Sequence, residues 1–153
     1  MPLAVNDKAP NFKGVDQNGE ELSLAQYADK KLILFFYPKD NTPGCTKESC
    51  NLRDNYTELK ERGFEVVGVS ADSEKSHVKF IDKFDLPYRL LADTEREVIE
   101  AFDVWKPKKF MGREFLGIVR TTFIIENGVI THVFEKVKTA DHTAQILTEL
   151  DKK

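Results

Sequence analysis

The fold is decided by residues 32–45, which read LILFFYPKDNTPGC. Residues 32–37 are consecutive apolar residues that end at Pro38, a pattern typical of a strand buried on both faces. After a turn-rich stretch, Thr42 and Pro43 fit the N-cap and the first position of a helix. A buried strand that passes through a short turn into a helix indicates an α/β protein with a parallel sheet.

The same alternation continues along the chain. Helices are predicted at residues 43–62, 71–84, 94–102 and 139–150, and further strands at 64–70, 88–92, 119–126 and 129–137. Asn-Gly pairs at 18–19 and 127–128 predict one hairpin before this core and one near its end. Residues 103–117 are predicted to be an irregular loop. The expected fold is therefore α/β and thioredoxin-like, with a mixed central sheet covered by helices on both faces and an added N-terminal β-hairpin.

Composition narrows the class of protein. The chain has 153 residues, which predicts one domain over 1–153. A net charge of −3 lacks the basic excess of nucleic-acid-binding domains, and no apolar run approaches the roughly 18 residues of a membrane span. The first twelve residues do not resemble a signal peptide. We expect a cytoplasmic protein that binds neither nucleic acid nor membrane, in which two cysteines serve packing or chemistry.

Cys45 falls at the third position of the predicted helix at 43–62. Unpaired backbone N–H groups point outward there and the helix dipole favours an anion, so both effects favour a thiolate. Lys39 and Lys47 lie close in sequence and add positive charge. A free cysteine is more often a small buried hydrophobic residue, but the cap, the proline and the preceding strand favour a reactive thiol here. Thr42 either caps this helix or contacts a substrate, and the pattern alone does not separate the two.

Cys50 lies on a different side of the same predicted helix. At roughly 100° per residue it is about 140° from Cys45, and its neighbours on the wheel are polar: Lys47, Asp54, Thr57 and Glu61. Residues five apart in a helix have Cα atoms roughly 8–9 Å apart, whereas a disulfide needs about 7 Å or less. A Cys45–Cys50 bond would require the first helical turns to unwind. We predict a switch between a folded dithiol and a locally unfolded disulfide.

The spacing of possible ligands argues against a metal site. Cys-x4-Cys differs from the Cys-x-x-Cys of thioredoxin-type proteins, and zinc would need three or four ligands at recognisable spacing. The histidines at positions 77, 132 and 142 are scattered, which suggests surface or internally satisfied residues. We predict neither metal nor cofactor. No histidine lies near Cys45 in sequence, so a Cys–His hydrolase is not supported.

Arg120 stands near the start of the strand predicted at 119–126, VRTTFIIE. If that strand is central, an arginine within it must be paired or must reach a site. It either extends from the strand end to solvent or pairs with the Cys45 thiolate or with a bound oxygen substrate. In the second case it would keep its positive charge throughout a reaction cycle.

These residues together resemble a known family. Pro38-Lys-Asp-Asn-Thr42-Pro-Gly-Cys45 is similar to the peroxiredoxin active-site pattern Pro-x-x-x-Thr/Ser-x-x-Cys. With Cys50 five residues later, the chain resembles the bacterioferritin comigratory protein, or peroxiredoxin Q, subfamily. The similarity covers nearly the whole chain and includes KAPNF at 8–12, KFMGR at 109–113 and RTTF at 120–123.

The resemblance implies a thiol peroxidase with two working cysteines. Cys45 would be the peroxidatic cysteine, whose thiolate attacks the peroxide O–O bond and becomes a sulfenic acid. Cys50 would be the resolving cysteine, which condenses with that acid to an intramolecular disulfide. Thr42 would hydrogen-bond the thiolate and the peroxide.

The resemblance also assigns the surroundings of the thiolate. Arg120 would stabilise the thiolate and the polarised peroxide oxygen, Pro38 would shield the pocket from water, and the backbone N–H groups of Cys45 and Gly44 would help to hold the substrate. Glu48 lies in the motif region, and neither pattern nor resemblance gives it a role.

Substrates, partners and rival functions follow from the same reasoning. The resemblance implies reduction of hydrogen peroxide and organic hydroperoxides, with recycling by thioredoxin or a glutaredoxin-type reductant. Internal resolution needs no partner subunit, so a monomer is expected. Two alternatives stay open. A protein disulfide reductase is disfavoured by the cysteine spacing, the threonine and the arginine. A redox sensor would use the predicted unwinding as its switch.

Overall fold

The computed structural model describes residues 3–110 and 112–150. Its strands are β1 (Lys13–Val15), β2 (Glu21–Ser23), β3 (Lys31–Phe36), β4 (Phe64–Ser70), β5 (Arg89–Ala92), β6 (Trp105–Phe110), β7 (Arg113–Ile118), β8 (Thr121–Glu126) and β9 (Val129–Phe134). Its helices are α1 (Pro43–Asp54), α2 (Tyr56–Glu61), α3 (Glu74–Phe84), α4 (Glu97–Ala101) and α5 (His142–Leu150), with short 3-10 turns at Leu24–Tyr27 and Thr139–Asp141.

Five strands form the central sheet in the order β5-β4-β3-β8-β9. β3 is parallel to β4, and β4 is parallel to β5. β8 is antiparallel to both β3 and β9. β1 and β2 pair as a separate antiparallel hairpin before this core. The predicted mixed sheet and the predicted N-terminal hairpin are both confirmed.

Alternate residues of β3 belong to two different cores, one on each face of the sheet. Leu32, Leu34 and Phe36 pack in the first core, and Ile33 and Phe35 pack in the second. Helix α4 and the N-terminal hairpin contribute to the first core with Leu22, Val98 and Ile99. The other helices contribute to the second core with Cys45, Leu52, Leu59, Phe80 and Ile146. Both faces of the sheet are therefore covered by helices, as predicted.

The single helix predicted at 43–62 is wrong, because it is broken at Asn55. That residue has φ −112° and ψ 9°, outside the helical range, and it separates α1 from α2. The Asn55 side-chain amide donates to the carbonyl of Asn51 at 2.8 Å, so it offers the backbone a local alternative to helical bonding.

Within the described residues, no helix has the length and apolar content needed to cross a bilayer.

The irregular loop predicted at 103–117 is also wrong. β6 and β7 form an antiparallel hairpin, a two-stranded sheet of their own. Each strand is an edge, so Pro107 fits without removing a bond that a central strand would need. Gly112 has φ +80° in the connecting turn, and Met111 beside it lies outside the described residues. Trp105 packs under the guanidinium of Arg96, 4.5 Å from the ring centroid.

Candidate active site

Cys45 lies in the first turn of α1, which follows the C-terminal end of β3 after a short loop. Pro43 occupies the first helical position and Thr42 is the extended N-cap residue, with φ −96° and ψ 156°. The cysteine side chain is buried, with 1% of its residue surface exposed. The strand-to-helix junction thus places one thiol at the positive end of a helix, as the sequence pattern predicts.

Arg120 reaches this thiol from the neighbouring strand, at the same end of the sheet, because Thr121 pairs with Phe36. Arg120 immediately precedes β8 instead of lying within it, so its long side chain leaves the strand end and turns inward. Nη2 donates to Cys45 Sγ at 3.2 Å, and Nη1 donates to Glu48 Oε1 at 2.7 Å. One planar guanidinium therefore bridges the sulfur and a carboxylate, and 21% of the Arg120 side chain is exposed.

Gly44 leaves room for that guanidinium. A Cβ atom at this position would lie 3.2 Å from Nη2 of Arg120, closer than most real Cβ contacts. A larger residue would push the guanidinium away from Cys45. The glycine before Cys45 therefore has a steric reason as well as the backbone role that the resemblance implies.

Thr42 and Pro38 lie on the same loop, and the Thr42 hydroxyl is engaged elsewhere than at the sulfur. It donates to the carbonyl of Lys39 at 3.0 Å, so it makes no side-chain cap bond to α1. Pro38 is half-buried at the end of β3. Both residues are within the loop that connects β3 to Cys45.

A buried hydrogen-bond network fixes this loop through Asp40. Asp40 accepts from the Tyr37 hydroxyl at 2.6 Å and from Ser76 at 2.8 Å, and it lies 2.7 Å from Nδ1 of His77. Nε2 of His77 faces the carbonyl of Leu91 at 3.0 Å. Asp40, Asp72 and His77 bring metal-binding atom types together, but these atoms already hydrogen-bond within the protein. The network therefore acts as an anchor for the loop.

Glu48 and His142 are the residues near the site that sequence reasoning missed. Glu48 is fully buried one turn after Cys45, and burial raises its pKa to about 7 although Arg120 favours its carboxylate form. His142 of α5 is also fully buried, with Nε2 3.5 Å from Glu48 Oε2, and burial lowers its pKa to about 4. The spacing of Glu48 from Cys45 was a usable signal, because residues three apart share a helix face.

The β6–β7 hairpin brings one further cation near the site. Lys108 donates to the carbonyl of Ile118 at 2.9 Å. Burial, followed by repulsion from Arg120, lowers the pKa of Lys108, and the charge of Cys45 opposes this shift. The segment that the sequence predicts as a loop therefore contributes to the positive potential around the thiol.

Cys50 is a half-buried free thiol farther along α1. Burial raises its pKa, and the positive charge of Arg53 opposes that shift. The backbone on both sides of it is held in place. The Tyr88 hydroxyl donates to the carbonyl of Ser49 at 2.7 Å. Residue 50 is thus kept as a protonated thiol inside an intact helix.

Asn51 ties α1 to the start of α5 with three hydrogen bonds. Its side-chain amide donates to the carbonyl of Ala140 at 3.2 Å, and its side-chain oxygen accepts from the backbone N–H of Thr143 at 2.7 Å. The Thr143 hydroxyl donates to the Asn51 carbonyl at 3.3 Å. The segment of α1 that carries Cys50 is therefore fastened to a neighbouring helix.

This arrangement is suited to nucleophilic chemistry by sulfur. Cys45 lies at a helix N-terminus with a permanent cation at hydrogen-bond distance, the setting in which reactive cysteines are found. The same guanidinium and the free N–H groups of the first turn can stabilise negative charge on an oxygen that leaves during attack.

Known proteins share both the sequence and the fold. Residues 5–133 match the AhpC/TSA family. The chain is 44% identical over 151 residues to peroxiredoxin Bcp of Bacillus subtilis, which covers 98% of this chain and 96% of that protein. It is 42% identical over 150 residues to peroxiredoxin Bcp of Escherichia coli, which covers 97% and 96%.

Solved structures agree. A mutant of Xanthomonas campestris peroxiredoxin Q superimposes with a TM-score of 0.87 at 34% identity, over 97% of this chain and 95% of that one. The bacterioferritin comigratory protein of the same organism, studied for its alkyl peroxide reduction activity, has a TM-score of 0.87 at 33% identity over 98% and 97%. The chain therefore belongs to the AhpC/TSA family, as a Bcp-type peroxiredoxin that reduces peroxide through a reactive cysteine and is recycled by a thiol reductant.

Proposed function

We propose that this peroxidase works through a Cys45 sulfenic acid and an intramolecular Cys45–Cys50 disulfide. The observation that carries the proposal is the position of Arg120, whose Nη2 lies 3.2 Å from the sulfur of Cys45 at the start of α1. Of the two cysteines, Cys45 has both the helix N-terminus and the permanent cation, so it is the one prepared to attack.

In the first step the Cys45 thiolate attacks the nearer oxygen of a hydroperoxide ROOH. The S–O bond forms as the O–O bond breaks, which leaves Cys45 as a sulfenic acid and releases RO⁻, which takes up a proton to become ROH. Arg120 stays charged throughout and stabilises first the thiolate and then the leaving oxygen. The alkyl peroxide reduction studied in the Xanthomonas campestris relative supports organic hydroperoxides as substrates beside hydrogen peroxide.

Groups in the loop before α1 and in its first turn would hold the peroxide and shield it. The backbone N–H groups of Gly44 and Cys45 lie in the first turn of α1, where such groups lack helical partners. The Thr42 hydroxyl would exchange its bond to the Lys39 carbonyl for one to the peroxide. Pro38, half-buried beside them, would limit the access of water.

In the second step Cys50 attacks the sulfenic sulfur, the S–S bond forms and water leaves. The intact helix forbids this bond, so α1 must unwind between the two cysteines. Cys50 is held as a thiol in the folded helix, since burial raises its pKa. Unwinding would expose it and make it available as a nucleophile only after Cys45 has reacted.

The reductant, assembly and location complete the proposal. An exposed disulfide in an unwound segment suits a small dithiol protein, and we propose thioredoxin or a glutaredoxin-type reductant. Because both cysteines lie on one chain, the cycle needs no second subunit, and we propose a monomer. A cycle that depends on thiol reductants also suits the reducing cytoplasm.

The test is stopped-flow fluorescence of the reduced protein mixed with hydrogen peroxide. Trp105 is the only tryptophan, so any signal has one source. We expect fast peroxide consumption by the wild type, none by Cys45→Ser, and a single turnover without a disulfide by Cys50→Ser. Equal rates for the wild type and Cys45→Ser would refute the proposal.

A further inference from the structure

Glu48 has a buried oxygen that the proposed cycle leaves unexplained. Oε1 accepts from Arg120, but Oε2 has no hydrogen-bond partner within 3.5 Å among residues 3–110 and 112–150, although the nearby Thr122 hydroxyl favours the carboxylate form. An ionised carboxylate with an unsatisfied buried oxygen is costly, whereas a neutral carboxyl group is much less so. The protonation state of Glu48 therefore depends on whether a neighbouring group can donate a hydrogen bond to Oε2.

Hydrogen bonds around His142 determine what Oε2 meets. Two hydrogen bonds fix the orientation of the Gln145 side-chain amide. Its nitrogen donates to the carbonyl of Lys136 at 2.8 Å, and its oxygen accepts from the N–H of Lys138 at 2.9 Å. That oxygen also lies 3.0 Å from Nδ1 of His142, so Nδ1 must carry the proton.

It follows that Nε2 of neutral His142 carries a lone pair. The Thr122 hydroxyl lies 2.9 Å from Nε2 and is therefore its donor. Glu48 Oε2, 3.5 Å from Nε2, faces a nitrogen that offers no hydrogen. The hydrogen bond from Nδ1 to Gln145 fixes the tautomer of His142. This tautomer therefore disfavours a carboxylate at position 48 and favours a carboxylic acid.

We propose that Glu48 stores the proton needed by the leaving oxygen: it holds this proton while Cys45 is a thiolate and releases it when Cys45 is oxidised. Arg120 is the link, because its two terminal nitrogens serve the sulfur and Glu48 Oε1 at 3.2 and 2.7 Å. In the reduced protein the thiolate neutralises Arg120. When the thiolate is consumed, the Glu48 carboxylate replaces it as the counter-ion. This inference rests on the proposed roles of Cys45 and Cys50.

The overall reaction balances without a proton from solvent. One thiolate (Cys45), one thiol (Cys50), one carboxylic acid (Glu48) and one ROOH give the disulfide, ROH, water and the Glu48 carboxylate. Two electrons pass from the sulfurs to the O–O bond, and the carboxyl proton goes to RO⁻. If α1 unwinds as proposed, Glu48 also leaves its buried position, which removes the reason for it to stay protonated.

The charged and titratable groups facing Glu48 agree with this exchange. Cys45 lies on its own helix, Arg120 precedes β8, and His142 lies on α5. The Tyr88 hydroxyl donates a hydrogen bond to the Ser49 carbonyl, and burial raises its pKa well above the usual value, so it remains neutral. Lys108 contributes a more distant positive charge near Arg120. Burial raises the pKa of Glu48 to about 7, consistent with storage near neutrality.

Proton uptake during oxidation tests the proposal. The reduced protein is mixed with one equivalent of hydrogen peroxide in weak buffer with a pH indicator, while peroxide loss and free thiols are followed. At about pH 6, where Glu48 is mostly protonated, we expect well under one proton taken up per disulfide formed. Glu48→Gln should take up one full proton per disulfide. At about pH 9 both proteins should take up one.

A matched control is Asp93→Asn. Burial also raises the pKa of Asp93, but its carboxylate accepts from the N–H of Ile99, away from Cys45, so this variant should behave like the wild type. Infrared difference spectra of the wild type give a second measurement that needs no variant to fold. A protonated-carboxyl band should disappear when the disulfide forms.

The outcomes distinguish failure of the storage role from failure of the peroxidase mechanism. If the disulfide forms but the wild type takes up a full proton at about pH 6, or if the carboxyl band persists, the storage role is refuted while the peroxidase mechanism stands. If peroxide consumption yields no Cys45–Cys50 disulfide, the proposed function fails first and the storage role fails with it.

Discussion

Glu48 and His142 should give the protein two opposite dependences of stability on pH. Glu48 has a pKa raised from 4.5 to about 7, so its burial costs little below pH 4.5, where it is protonated, and the fold loses stability as pH rises to about 7. His142 has a pKa lowered from 6.5 to about 4, so its stabilising effect is present above pH 6.5 and is lost as pH falls. Between pH 4.5 and 6.5 the two effects on stability oppose each other.

The magnitudes follow from the pKa shifts. Each shift corresponds to about 3 kcal/mol at about 1.4 kcal/mol per pH unit. The two contributions nearly cancel in the wild type between the usual pKa values of the two groups, 4.5 and 6.5. In Glu48→Gln only the His142 effect is left, so the free energy of unfolding should rise with pH across this window by about 3 kcal/mol relative to the wild type. In His142→Asn it should fall by a similar amount.

The assay is urea unfolding of the reduced proteins at half-unit pH steps from about 4 to 7.5. Differences from the wild type are compared, because other ionisable groups are common to all three proteins. Asp93→Asn serves as the control for loss of an unrelated buried carboxyl. If the two variants changed stability in the same direction with pH, or by less than about 1 kcal/mol, the assignment of protonation states would be refuted.

Three further substitutions test the geometry around the thiol. Arg120→Lys keeps the charge but lacks the planar guanidinium that donates to both Cys45 and Glu48, so kcat/KM for peroxide should fall about 10²-fold. An unchanged kcat/KM would show that the charge alone is sufficient. Gly44→Ala places a Cβ 3.2 Å from Nη2 of Arg120 and should lower kcat/KM about 10-fold with little change in Tm. Ser73→Ala removes the cap bond of α3 and should cost about 1 kcal/mol in urea unfolding while leaving kcat/KM unchanged.

Local signals in the sequence were enough to predict the core. The uninterrupted apolar run at 32–37 identified the strand at the centre of the sheet, because a strand with both faces covered needs no polar alternation. The Asn-Gly pairs identified the β1–β2 and β8–β9 hairpins. The Thr42-Pro43 pair located the start of α1, and Cys45 could be assigned to the first helical turn for that reason.

Features that depend on distant residues were not predictable in this way. The β6–β7 hairpin was missed because it has exposed Phe115 and Leu116 and no Asn-Gly turn, so its strands lack the usual pattern. The break at Asn55 lies in a segment whose composition is compatible with continuous helix. His142 approaches Glu48 only because α5 packs on α1, a contact between parts of the chain that are far apart in sequence.

The fastening of Asn51 to α5 bears on how long the enzyme is vulnerable to its own substrate. In the proposed cycle Cys45 stays a sulfenic acid until α1 opens, and a second peroxide arriving in that interval would oxidise it irreversibly to a sulfinic acid. If Cys50 is the resolving cysteine, the three hydrogen bonds between Asn51 and residues 140–143 must break before it can leave the helix. The strength of these bonds would therefore set the lifetime of the sulfenic acid. Strong bonds hold the reduced site in shape, whereas weak bonds shorten the time in which a second peroxide can react.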